Sequence, residues 1–93
     1  MRFRKKNKYS SECVWGNEET KKKIKVNIRS EVKLDEEQVD RITNIVKETI
    51  SQSYYDPCFH ISRNAYHLID NVTSVRTWFI KKSDNVIIEI AGQ

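Results

Sequence analysis

Cys58 and His60, with His67 and Asp70 downstream and Cys13 far upstream, carry the side-chain types used by zinc sites and thiol nucleophiles. Thiolate, imidazole and carboxylate can share a metal ion, or one can attack while another takes up the proton. Their spacing matches no paired-ligand motif, and the simpler reading is a partly buried thiol beside surface imidazoles. Gly16 and Gly92 are the only glycines, so no glycine-rich loop can cradle a phosphate. That removes nucleotide hydrolases and dinucleotide enzymes. No catalytic residue, metal or cofactor is expected.

The stronger chemical signal is ionic. Residues 1–33 hold eleven of the seventeen Lys and Arg and four of the thirteen acids, a balance of +7; residues 34–93 hold six and nine, a balance of −3. Clustered cations focus potential and displace counterions from a polyanion, which makes nucleic acid the first partner class to consider, with DNA leading. Arg2, Arg4, Lys5, Lys6 and Lys8 lie in the aperiodic start of the chain, Lys21, Lys23, Lys25, Arg29 and Lys33 share one parity of a strand-like run, and Lys81 and Lys82 sit in a turn. The first four, with Lys21, Lys23, Lys25, Arg29, Lys81 and Lys82, form the candidate nucleic-acid site. Phe3, Tyr9, Trp15 and Trp78 are aromatics able to stack on unpaired bases. Each feature also has a plainer reading: lysines solvate strand faces and discourage edge pairing, and a Trp in a small domain is more often core.

These side chains need a scaffold. A charged fraction of 32% with 38% apolar residues lies on the globular side of the disorder boundary, and 93 residues suffice for one modest core. Residues 1–20 lack periodicity and read as a basic arm free to flex, leaving one domain over 21–93. Ile24, Val26, Ile28, Val32 and Leu34 alternate with Lys23, Lys25, Asn27, Arg29 and Lys33, the pattern of a half-buried strand over 22–33. Asp35 followed by Gln38 is a capping box, and Val39, Ile42, Ile45, Val46 and Ile50 form an apolar stripe, predicting a helix over 35–53 that Asp56 and Pro57 stop. Residues 58–73 fit either a short strand begun by Cys58, Phe59 and Ile61 or a short helix capped by Ser62 over 62–70, and the helix is the expected one. The β-rich runs 75–81 and 86–91, joined by Lys82, Ser83, Asp84 and Asn85, read as a hairpin. Trp78 and Phe79 are adjacent, so in a strand only one can enter the core; Trp78 is the expected one.

Two DNA-binding resemblances arise from this order. Residues 22–29, the Asp35 helix and the Ser62 helix resemble the strand–helix–helix order of ribbon-helix-helix proteins, although the strand is longer and the interhelical gap holds Pro57. Residues 62–72 leading into 78–88 are similar to the recognition helix and wing of winged-helix proteins over about a third of the chain, which implies a helix in the major groove and a basic hairpin beside it. The expected fold is α+β: a small, mostly antiparallel sheet packed by one long helix, with a short second helix and a C-terminal hairpin, in an arrangement open to the winged-helix comparison. The expected function is non-catalytic nucleic-acid binding. The alternative is a small interaction module, an inhibitor or assembly subunit, docking an acidic protein surface or a sheet edge, with a homodimer compatible with either. Without an apolar run after the basic start or one long enough to span a bilayer, a cytoplasmic protein with no membrane partner is expected.

Overall fold

A computed structural model of the chain describes residues 6–15, 19, 21–52 and 56–93. Four strands, β1 (Asn7–Trp15), β2 (Lys22–Ser30), β3 (Val72–Ile80) and β4 (Asn85–Gly92), form a sheet in the order β1-β2-β4-β3. Two helices, α1 (Glu36–Ser51) and α2 (Pro57–Leu68), connect β2 to β3. The domain is thus α+β, as expected, but its sheet is mixed rather than mostly antiparallel. The β1–β2 and β3–β4 pairs are antiparallel, whereas the central strands β2 and β4 run parallel. Parallel neighbours need a long crossover, and α1, α2 and β3 supply it. No described helix is long and apolar enough to cross a membrane.

The core lies between the helices and one sheet face. Ile24, Val26 and Ile28 of β2 and Val86, Ile88 and Ile90 of β4 are nearly inaccessible, and Val39, Ile42, Val46, Ile61 and Ala65 of the helices close over them. Paired residues on neighbouring strands point to the same side. Ser11, Val26, Val86 and Phe79 share one level of the sheet, and Tyr9, Ile28, Ile88 and Thr77 share the next. Ser11 of β1 meets Thr43 of α1 through their hydroxyls, and Thr77 of β3 meets Ser62 of α2 at 2.7 Å. Both helices therefore cover the same face, each keyed to an edge strand by a hydroxyl pair.

Within the arm expected over 1–20, residues Asn7–Trp15 form a strand of the sheet. Its burial alternates, with Tyr9, Cys13 and Trp15 turned toward the helices, and the Tyr9 hydroxyl accepts from the Leu34 backbone N–H at 2.9 Å. β2 ends at Ser30 rather than residue 33, for a local reason: the buried Ser30 hydroxyl bonds both the N–H and the carbonyl of Val32, which turns the chain out of the sheet. Asp35 caps α1 as the capping box requires, accepting from the Gln38 N–H at 2.8 Å while its own N–H donates to the Gln38 side chain at 3.0 Å.

Pro57 does not merely stop the first helix. It occupies the first turn of α2, where its missing N–H costs nothing, and Asp56 caps that helix by accepting from the Phe59 N–H at 3.1 Å. Ser62, expected as the cap, is instead inside the helix. At the end of β4, a Cβ on Gly92 would lie 2.4 Å from the Asn71 carbonyl oxygen, so only glycine fits where the Gln93 N–H bonds that same oxygen.

Ile42 is fully enclosed, and its truncation leaves a cavity that rigid strands cannot fill. Ile42→Ala is expected to lower unfolding stability by about 2–4 kcal/mol in a denaturant titration. A loss under about half a kilocalorie would place the α1 stripe outside the core.

Candidate nucleic-acid interface

The helices leave the other sheet face open. By strand alternation and register, one level across this face reads Lys8, Arg29, Glu89, Arg76; the next Ser10, Asn27, Ile87, Trp78; the next Glu12, Lys25, Asn85, Ile80; and the last begins with Val14 and Lys23. Lys8, Lys23, Lys25, Arg29 and Arg76 are all exposed. They outnumber Glu12 and Glu89, and none of the five forms an ion pair among the described residues. Along β2, Lys23 and Lys25 are separated by about 6.6 Å of strand rise.

Of the sequence-predicted site, Lys23, Lys25 and Arg29 lie on this face, and Lys21 is exposed one residue before β2. Lys81 and Lys82 belong to a single 3-10 turn between β3 and β4, which the left-handed Asp84 (φ 49°) returns to the sheet. The Lys25 N–H donates to the Asp84 carbonyl at 2.9 Å, so this turn sits against the basic start of β2. Lys6 is exposed but engaged with Glu89 at 3.4 Å, which draws part of its charge onto that carboxylate. Arg2, Arg4 and Lys5, and the aromatic Phe3, lie outside the described residues.

Three features of the face were not anticipated. Arg76 joins it because it shares the parity of Trp78, which is turned outward, and pairs with Glu89 of β4. Trp78 is not core: Phe79 packs inward, and Trp78 projects from the open face at 43% exposure. A polar ladder runs from β1 across β2 and β4 to the turn, with Ser10 donating to the Asn27 side-chain amide oxygen at 3.3 Å, Asn27 donating to the Asn85 amide oxygen at 3.0 Å, and Asn85 donating to the Ser83 hydroxyl at 3.0 Å. Ser10, Asn27 and Asn85 lie on three different strands, so the ladder forms only once the strands are in register.

The acids gather on the far side. Glu36, Glu37, Asp40 and Glu48 of α1 stand in solvent with only Arg41 and Lys47 of opposite sign, and Arg41 is already paired with Glu37 at 3.2 Å. The fold converts the uneven charge of the sequence into a basic sheet face and an acidic helix face.

The thiol and imidazole groups do not converge. His60 and His67 are seven residues apart on α2, about 10.5 Å along its axis, and Cys58 lies on the opposite side from His60. Among the described residues no three His, Cys, Asp or Glu side chains could hold one metal ion. Cys58 lines an apolar cavity of about 160 Å³ with Ile50, Ile61, Phe79 and Val86, below the size of most small-molecule sites. Burial raises the Cys58 thiol pKa, and the Asp56 carboxylate raises it further against a hydrogen bond from the Phe79 backbone. Burial likewise raises Cys13, against the opposing charge of Lys47.

Comparison of the chain with protein-family models, curated proteins and solved structures finds no match.

Raised pKa values keep both thiols protonated at neutral pH, the form that is neither a good nucleophile nor a metal ligand. Alkylation of the folded protein at pH 7 should therefore be several-fold slower than that of a free thiol, accelerating only as pH rises through the elevated values. Rapid modification of Cys58 at pH 7 would show an activated thiolate.

Proposed function

We propose that this protein binds nucleic acid, DNA in the first instance, without catalysing a reaction, and that it does so through the open sheet face. The observation that carries this reading is the convergence of Lys8, Lys23, Lys25, Arg29 and Arg76 on one helix-free surface, with the acids of α1 turned away; the turn that holds Lys81 and Lys82 adjoins the start of β2, and Lys81 itself lines the helix-side cavity. Backbone phosphates supply most of the affinity in such contacts, and a flat basic face can follow them without a preformed pocket. A winged-helix mode would instead put α2 against the ligand. The exposed residues of α2 include Arg63 but no other Lys or Arg, so the sheet is the better electrostatic match.

A second reading is favoured by a different observation. β3 is a nine-residue edge strand, and a shallow groove of about 430 Å³ runs between it and the start of α2, lined by Phe59, Val75 and Trp78. An extended segment of a protein partner could add there as a further strand, the mode of a small interaction module. Such binding depends on apolar side chains and backbone pairing, so it responds weakly to salt.

Replacing Lys23, Lys25 and Arg29 by Ala should leave the fold intact, because all three side chains are in solvent. The same change should weaken DNA binding and flatten the dependence of log affinity on log salt by roughly two to three units, at about 0.9 per lost phosphate contact. Unchanged affinity and slope would exclude this face, and no binding at low salt would favour the interaction module.

A further inference from the structure

From the geometry of the open face we infer that its ligand is a single-stranded nucleic acid whose bases stack on Trp78. This rests on the nucleic-acid reading above and specifies the form of its ligand.

The open face is divided along the strand direction. Its cations cluster on β1 and β2, with Lys25 and Arg29 flanking Asn27, whereas Trp78, Ile80 and Ile87 give the β3–β4 half an apolar surface. Trp78 is 43% exposed and Ile80 42%, although Trp in a small domain gains most by burial. β2 and β3 are about 10 Å apart, two strand spacings, and between them stands Asn85 of β4, whose amide oxygen accepts from Asn27. A single strand laid along β2 meets this division directly: phosphates over the β2 cations, unpaired bases over the ring of Trp78, and polar base or sugar edges over the amides. Arg76, two residues from Trp78 on the same side of β3, stands ready for a further phosphate. A duplex would bring only phosphates to the surface and leave Trp78 and Ile87 without partners, since its bases are already stacked. Stacking on an aromatic ring tolerates every base, so little sequence preference is expected.

A second copy of this chain is a poorer occupant. Pairing two such faces about an axis across the strands would set the cations of one copy against those of the other, with only Glu12 and Glu89 to offset them, and pairing about an axis along the strands would set Lys23, Lys25 and Arg29 against the apolar half of the partner, burying them without counter-charges.

The test measures fluorescence anisotropy of labelled thymidine and uridine oligonucleotides of about 12 nucleotides, and of a duplex of the same length, against the wild-type chain, Trp78→Leu and Trp78→Phe. Leucine keeps an apolar side chain for the fold but has no ring. The single strands should bind more tightly than the duplex, and the leucine variant should lose about five- to 150-fold for single strands. Its duplex affinity and salt slope should be unchanged, with phenylalanine restoring most of the loss. The thymidine and uridine arms show whether DNA, RNA or both are held. Duplex binding as tight as single-strand binding, or a leucine variant that binds like wild type, would overturn the stacking inference. If the Lys23, Lys25 and Arg29 substitutions still weakened binding in that case, the broader nucleic-acid reading would stand. Binding to none of the probes at low salt would remove both.

Discussion

Side by side and parallel, β2 and β4 set Val26 against Val86, Ile28 against Ile88 and the buried Ser30 against Ile90. Two antiparallel hairpins meet at this seam, and it dictates where the rest of the chain goes. Because parallel strands cannot be joined by a turn, the chain must leave the sheet after β2 and return by way of β3. Both helices fall within that excursion and pack on one side, where their apolar stripes seal the seam. The other side is left uncovered. The open face follows from the same constraint that forms the core.

Once the seam is in place, the two-residue period of a strand sorts the chemistry. Along β2 every inward side chain from Ile24 to Ser30 is buried, and Lys23, Lys25 and Arg29 alternate with them outward. A slip of one residue would put those cations into the core, at a cost far above any gain from altered pairing, so register and surface charge are fixed together. The hydroxyl pairs Ser11–Thr43 and Ser62–Thr77 tie the edge strands to the helix layer and hold the outer columns of the face, Lys8 on β1 and Arg76 and Trp78 on β3, at defined levels. The basic surface is therefore part of a rigid sheet rather than a collection of loops.

Much of this was legible in the sequence where a signal was local. The capping box of Asp35 and Gln38, the α1 stripe, the alternation of β2 and the last hairpin depend on neighbours within a few residues, and each appears close to its expected place. What escaped depends on distant partners. β1 has the mixed inward set Tyr9, Ser11, Cys13 and Trp15, because an edge strand needs only half a core and Ser11 is satisfied by Thr43 on another element. Pro57 looked like a terminator because the same residue that cannot extend one helix suits the first turn of the next. The parallel pairing left no local trace, and without it the polar ladder from Asn27 to Asn85 could not be foreseen. Size alone favours Trp78 for the core, but Phe79 fills the inward position.

The central claim, that the ligand lies on the open face and not on the helices or the β3 edge, is tested most directly by titrating a thymidine oligonucleotide into isotope-labelled protein and following amide and indole resonances. Binding on the open face should shift Lys25, Asn27, Arg29, Ile87, Asn85 and the Trp78 indole while leaving Asp40, Asn44 and Lys47 on the outer side of α1 unmoved. Shifts centred on α1, or confined to Phe59, Val75 and the groove beside β3, would contradict it.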